Sequence, residues 1–146
     1  MSWKPQKIMA AVDGSPQSIH AAQRAVDLAR LTGGTVTLVT VVRPPEGWWG
    51  LEGAPPSPEA LAAAVAAGRR EVLDRVVAAI DAEGVDVDTV EELGDPAGRI
   101  IALCEENPVD LLVVGRRGAG LVERMMLGSV ADRLAHHAPC PVLIVP

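Results

Sequence analysis

Gly115, Gly118, Gly128 and Ser129 stand in the pattern Gly-x2-Gly-x9-Gly-Ser, with Arg116 and Arg117 in the first gap and Met125 and Met126 in the second. Together, residues of these types suit one kind of chemistry, the holding of an anion. Glycine permits positive φ and lets backbone N–H groups come close to a ligand. Gly128-Ser129 precedes a helix-like run, and a helix start offers unpaired amides and the positive end of its dipole. Those amides and the Ser129 hydroxyl would hold phosphate oxygens without a fixed buried charge. A stretch of ordinary glycine turns has the same composition, so spacing alone leaves both readings open. Two phosphate loops are excluded: no Gly-x4-Gly-Lys-Ser/Thr occurs, and no Gly-x-Gly-x-x-Gly follows the first apolar run.

Other chemistries find less support. His20, His136 and His137 lack metal-ligand spacing and read as surface or satisfied histidines. No Ser-His-Asp arrangement follows from spacing, and Ser129 has no obvious activating base. Cys104 and Cys140 are far apart in sequence, form no Cys-x-x-Cys pair, and read as buried structural thiols of a reduced, cytoplasmic protein. A net charge of -6 argues against a general nucleic-acid binder. The opening run "MSWKPQKIMAAVD" lacks the long apolar region of a secretory signal, and no apolar run approaches membrane-spanning length.

Short apolar or β-branched runs alternate with amphipathic ones. "KIMAAVD" (7–13), "TVTLVTVV" (35–42), "VDLLVVG" (109–115) and "PVLIVP" (141–146) are near-continuous, as suits parallel strands covered on both faces. "VDVDTVEEL" (85–93) alternates and reads as a strand with one wet face, toward a sheet edge. Helical periodicity covers 15–31, with Ile19, Ala22, Val26 and Ala29 on one face. It also covers 58–83, with Leu61, Val65, Gly68, Val72, Val76 and Ile80 as the stripe. Further helices are expected over 96–107 and from Ser129. Ser57-Pro58 and Asp95-Pro96 read as N-cap and N1 pairs, and Gly33-Gly34 and Gly84 as helix stops. The order β-α-β-α-β-α-β-α-β over 1–146 predicts one α/β domain, a doubly wound parallel sheet whose ligand site lies beyond the strands' carboxyl ends. Asp13-Gly14-Ser15 and Gly115 fall at those ends. Ser15 is the better cap for the first helix, which leaves the Asp13 carboxylate available to a ligand. The loop 43–57 carries Trp48-Trp49 and suits a lid, a partner patch or packing against the body.

The tail "GRRGAGLVERMMLGSVADRLAHHAPCPVLIVP" and the start "KIMAAVDGSPQS" resemble the universal stress protein family, and the resemblance covers essentially the whole chain. It implies a single-domain, Rossmann-like five-stranded sheet in the order 3-2-1-4-5, of the adenine nucleotide alpha hydrolase-like kind. The Gly-x2-Gly-x9-Gly-Ser/Thr pattern marks the family's ATP-binding branch. Residue by residue, the resemblance implies a ribose and phosphate cradle of Gly115, Gly118, Gly128 and Ser129, with the Val130 amide alongside. Asp13 would contact the nucleoside, Val41 would read adenine through its backbone with Ala11 close by, and Met126 would form an apolar wall. Arg116-Arg117 departs from the commoner small or histidine-containing pair, and one arginine would reach the terminal phosphates or a solvated loop would hold both. Arg124 reads as a solvent or interface charge.

The expected ligand is ATP, with Mg²⁺ carried on its phosphates. The apolar run Pro141–Pro146, at a sheet edge, predicts a homodimer paired through that strand. The function implied is nucleotide-dependent regulation in a stress response rather than fast catalysis. A slow nucleotide hydrolase and a dimeric scaffold that binds no nucleotide are the alternatives.

Overall fold

Five runs of apolar residues become strands: β1 (Lys7–Ala11), β2 (Thr35–Val42), β3 (Val87–Leu93), β4 (Leu111–Gly115) and β5 (Val142–Val145). The helices between them are α1 (Pro16–Thr32), α2 (Pro58–Ala79), α3 (Pro96–Glu106) and α4 (Ser129–His137). The computed structural model describes residues 2–43, 57–117 and 127–146, the side chains of Leu61, Ala64 and Val65 excepted. All pairings are parallel, in the order β3-β2-β1-β4-β5. The chain winds outward from β1 to β3, then starts again beside β1 at β4. The winding therefore reverses between β1 and β4, where a doubly wound sheet opens a crevice.

The sheet is covered on both faces, which is why its central strands read as unbroken apolar runs. Ile8, Ala10, Val36, Leu38 and Val113 pack against α1 and the end of α2, where Leu73 and Val76 are buried. Met9, Ala11, Val39, Leu112 and Val114 pack on the opposite face, against α3 and α4. Each fully buried valine or leucine contributes about 1.5–3 kcal/mol through burial, and Val36, Leu38, Val39, Leu112 and Val113 are at most 1% exposed.

Helix starts follow their caps. The Ser15, Ser57 and Asp95 side chains accept from the amides of Ser18, Ala60 and Gly98, each followed by proline at the first helical position. Helix α1 stops at Gly33, which takes the left-handed conformation (φ 76°) and donates its N–H to the Ala29 carbonyl. The stop expected at Gly84 does not hold. Helix α2 ends at Ala79, because side chains of α1 capture the chain that follows. The Gln23 carboxamide accepts from the Asp81 N–H at 2.8 Å, and Gln23 and Arg30 both donate to the Asp81 carbonyl at 3.1 Å. The expected α2 stripe also needs correction: Leu73, which lies off it, is 2% exposed, whereas Gly68 is exposed. Strands β1, β3, β4 and β5 are each two residues shorter than the runs expected to form them.

Two residues distant in sequence meet in the core beneath α3 and α4. Cys104 is buried and Cys140 is packed against the same cluster. Burial, then the neighbouring Cys140 thiol, pushes the Cys104 thiol up to about 12. Among the described residues, no helix is long and apolar enough to cross a membrane.

Candidate functional site

Strand β2 outruns β1, and that difference in length makes one wall of the site. Thr35 N–H donates to the Gln6 carbonyl at 2.7 Å and Val12 N–H donates to the Val39 carbonyl at 2.8 Å, so the odd residues of β2 face β1. Even ones face β3: Val36 N–H donates to Asp86, and the Val42 carbonyl accepts from Gly94 N–H, both at 3.0 Å. In a parallel strand the N–H and C=O of one residue point to the same side, and successive residues alternate. Val41 therefore aims a donor and an acceptor toward the side that β1 has already left. Its main chain opens onto a cleft of ≈ 300 Å³ that Ala11 and Asp13 also line.

Beyond Val12 the chain leaves the ladder. Asp13 N–H donates to the Ser18 hydroxyl at 3.2 Å, and Ser15 caps α1 as expected. The Asp13 carboxylate, however, is not left idle by that arrangement. Its Oδ1 accepts from the Ser15 N–H at 2.9 Å, which fixes the turn and holds the carboxylate at the cleft.

The facing wall comes from β4 and α4. Arg116 N–H donates to the Val145 carbonyl at 2.7 Å, and the Arg116 carbonyl accepts from Gly128 N–H at 2.8 Å. These two bonds bring the first and third glycines of the sequence pattern to one place. Gly115, Gly128, Ser129 and Val130 all line the cleft. Gly128 is the N-cap of α4 and supplies no side-chain hydrogen bond to it, unlike the caps of the other three helices. The first amides of α4 thus lack the side-chain oxygen that terminates its neighbours.

Gly115 and Gly128, the two glycines of the pattern among the described residues, do not serve by positive φ. Gly128 has φ −64°, and Gly115 is not among the residues of positive φ. Gly115 is needed for close approach instead, because a Cβ there would sit 3.1 Å from the carbonyl carbon and oxygen of Gln17. Strand β4 and the start of α1 touch through backbone at that point.

Arg117 lines the cleft, whereas Arg116 is not among the lining residues. The Nε atoms of both are buried without a hydrogen-bond partner among the described residues. Of the residues expected at the site, Gly118 and Met126 lie outside the described residues, as do Arg124, Met125 and the Trp48-Trp49 pair.

Sequence reasoning missed the floor. Val39, Ile100 and Ala131, all nearly inaccessible, form an apolar surface between the two walls, with Pro96 at its edge. A signal for them existed. Asp95-Pro96 caps a helix at the carboxyl end of β3, and helix starts in a doubly wound sheet lie at the ligand end. Among the described residues no group of three or more His, Cys, Asp or Glu is arranged to hold a metal ion. The cleft thus combines an apolar floor, an open strand edge on one side, and helix amides with a guanidinium on the other. That set suits a ligand with an aromatic plane, a hydrogen-bonding edge and an anionic tail.

Comparison with known proteins bears on this geometry. The family model described as "Universal stress protein family" matches residues 4–146. A protein of Methanocaldococcus jannaschii, universal stress protein MJ0531, is 33% identical over 147 residues, covering 96% of this chain and 81% of its own. Among solved structures, the hypothetical protein MJ0577 superposes with a TM-score of 0.80 at 21% identity, covering 99% of this chain and 96% of its own. That likeness bears on fold. A universal stress protein solved in complex with cAMP superposes with a TM-score of 0.67 at 26% identity, covering 98% of each chain.

Proposed function

Since the chain belongs to the universal stress protein family, we propose that its cleft binds an adenine nucleotide, ATP above all, and that occupancy regulates the protein's part in a stress response. One observation carries the reading. Across a single cleft, the open donor-acceptor pair of Val41 faces the start of α4, whose cap supplies no side-chain oxygen.

Adenine presents an acceptor, N1, beside a donor, the N6 amino group. The Val41 N–H and C=O match that pair in type and order. The base would lie on the Val39–Ile100–Ala131 floor with Ala11 beside it, and Asp13 would accept from ribose hydroxyls. The amides of Ser129 and Val130, the Ser129 hydroxyl and the backbone at Gly115, Gly118 and Gly128 would take the phosphates. Met126 would wall the base or sugar. Either Arg116 or Arg117 would reach the terminal phosphates, and the place of Arg117 on the cleft wall favours it. Mg²⁺ would arrive on the phosphate oxygens and supply charge neutralisation. These groups bind and orient, which suits a regulatory switch better than rapid turnover.

We assign the protein to the cytoplasm as a homodimer paired through β5. The two sheet edges support the pairing by their contrast. Edge strand β3 is charged, with Glu91 and Glu92 held by Arg70 at 3.3 Å and Arg99 at 3.4 Å. Edge strand β5 reads Val-Leu-Ile-Val, with Leu143 37% exposed. Charge on one edge blocks strand addition, and its absence on the other invites it. Leu143→Arg should therefore convert a dimer to a monomer in sedimentation velocity; a wild-type monomer at micromolar concentration would contradict the assembly.

The binding reading is tested by denaturing purified protein, chromatographing the supernatant for adenine nucleotide, and titrating nucleotide-free protein calorimetrically with Mg-ATP, ADP and AMP. Asp13→Ala, through one lost polar contact, and Gly118→Ala, through a methyl set where the backbone would approach the ligand, should each weaken ATP binding by about tenfold or more. Unchanged affinity would remove those residues from the site, and absence of binding by the wild type would remove the function.

A further inference from the structure

A charged hub stands at the start of α3, on the rim of the cleft. Asp95 caps the helix through Oδ2, which accepts from Gly98 N–H at 3.0 Å. Two arginines converge on the same carboxylate: Arg43 Nη2 donates to Oδ1 at 2.9 Å, and Arg133 Nη1 donates to Oδ2 at 2.7 Å. The Gly98 amide, then Arg133, hold this carboxyl below its ordinary range, so it is ionised at neutral pH.

The three partners sit on three separate elements, and each element supplies part of the cleft. Arg43 follows β2 two residues after Val41. Asp95 immediately precedes Pro96 on the cleft's edge. Arg133 lies one turn of α4 beyond Ser129 and Val130. A tie at Asp95 therefore links the proposed base-reading strand edge to the proposed phosphate-binding helix start. The bond from Gly94 N–H to the Val42 carbonyl, at 3.0 Å, anchors the same corner to β2.

We propose that Asp95 is a positioning residue for the nucleotide: by holding Arg43 and Arg133 together it sets the distance between the Val41 main chain and the first turn of α4. This rests on the nucleotide reading above. A ligand gripped at both ends is sensitive to that distance, since displacement of one wall loosens whichever end is not followed. The side chains of Arg43, Asp95 and Arg133 are 65%, 44% and 47% exposed, and pairs so exposed add little to global stability. Loss of the hub thus leaves the fold standing.

Charge alone makes the opposite forecast. A carboxylate near the cleft repels a polyphosphate, so its removal would tighten ATP and leave uncharged adenosine unaffected. Positioning weakens both ligands together, because the base of adenosine would rest on Ala131 of α4 as well as on the Val41 edge.

The test uses the full chain, freed of nucleotide, with Asp95→Asn and Arg133→Met made singly and together. Asparagine remains a competent cap for the Gly98 amide, so the first variant removes the ion pairs and keeps the helix start. Arg133→Met leaves the cap untouched. Affinities for Mg-ATP and for adenosine are read by calorimetry, with thermal melts as the control on folding. Both single variants should bind both ligands about three- to tenfold more weakly. The double variant should be no weaker than the worse single one, because the two changes break one linkage. Tighter ATP binding by Asp95→Asn with adenosine unchanged, or unaltered affinities throughout, would overturn the positioning role while leaving the nucleotide site intact. A wild type that binds neither ligand would instead overturn the site itself.

Discussion

Val41→Pro isolates the main chain of one residue. Proline removes a donor and fixes φ near −65°, against about −120° for a parallel strand. In the interior of a sheet the missing N–H would cost a rung of the ladder, but here it does not. Val41 faces the side vacated by β1, and the pairing with β3 runs through its even-numbered neighbours, as the Gly94-to-Val42 bond shows. The preceding residue, Thr40, is already extended, which proline favours. The structural cost is therefore the φ adjustment alone, about 1–2 kcal/mol, and the protein should remain folded with a modestly lower Tm. Binding should suffer more. A base nitrogen left facing the proline ring without its donor loses about 1–3 kcal/mol, which is about 5- to 150-fold in Kd. Two controls frame the result. Val41→Ala keeps both main-chain groups and should bind within about threefold of wild type, whereas Val42→Pro strikes the β3 pairing and should lower Tm far more. Calorimetric titration with Mg-ATP, beside circular-dichroism melts, reads all three. A folded Val41→Pro protein with wild-type affinity would refute the assignment of the base edge to this strand.

Gly115→Ala should destabilise the fold by about 1–3 kcal/mol in urea titration, because the added methyl meets backbone of Gln17 that has no rotamer to change. A neutral substitution would mean that α1 slides freely along β4. Acid should lower the protein's stability through carboxylates held low in the native state. Asp110 accepts from the amides of Lys7 and Gln6, Asp95 is held by Gly98 and Arg133, and Asp27 by Gln23 and then Arg24. Folded values below 3.8 mean stability that is fully present above the unfolded value and lost as pH falls through the folded ones. Tm should accordingly be level from about pH 7 to 5 and fall below about pH 4, with a shallower fall in Asp110→Asn; a level Tm down to pH 2 would contradict this. Cys104, pushed up to about 12 by burial, should resist iodoacetamide at pH 7.5 until the protein is unfolded, as read by intact mass. Rapid native alkylation of that residue would show the core beneath α3 to be open.

Strand identity was legible because a covered parallel strand needs continuous apolar sequence, and "TVTLVTVV" or "VDLLVVG" has little other use; the strand order was legible only through the family resemblance. The caps were legible for a local reason, since Ser-Pro and Asp-Pro act within four residues. The end of α2 was not, because Gln23 and Arg30 act on Asp81 from another helix, and no local window contains them. The meeting of Cys104 with Cys140 escaped for the same cause. At the site, the ends of β1 and β4 were visible in Asp13 and Gly115, but the Ile100–Ala131 floor required knowledge of how α3 and α4 pack. Of the pattern's glycines, Gly115 and Gly128 reach the cleft without positive φ, and Gly115 also makes possible a backbone approach to Gln17 that no local window contains.

The central claim is that open main-chain groups at the carboxyl end of the sheet hold the nucleotide. Titration of ¹⁵N-labelled, nucleotide-free protein with Mg-ATP addresses it amide by amide. Large saturable shifts are predicted for the amides of Val41, Ser129 and Val130, with those of Ala22 and Val26, on the buried side of α1, nearly unmoved. Saturable binding that leaves the amides of Val41, Ser129 and Val130 unshifted would contradict it.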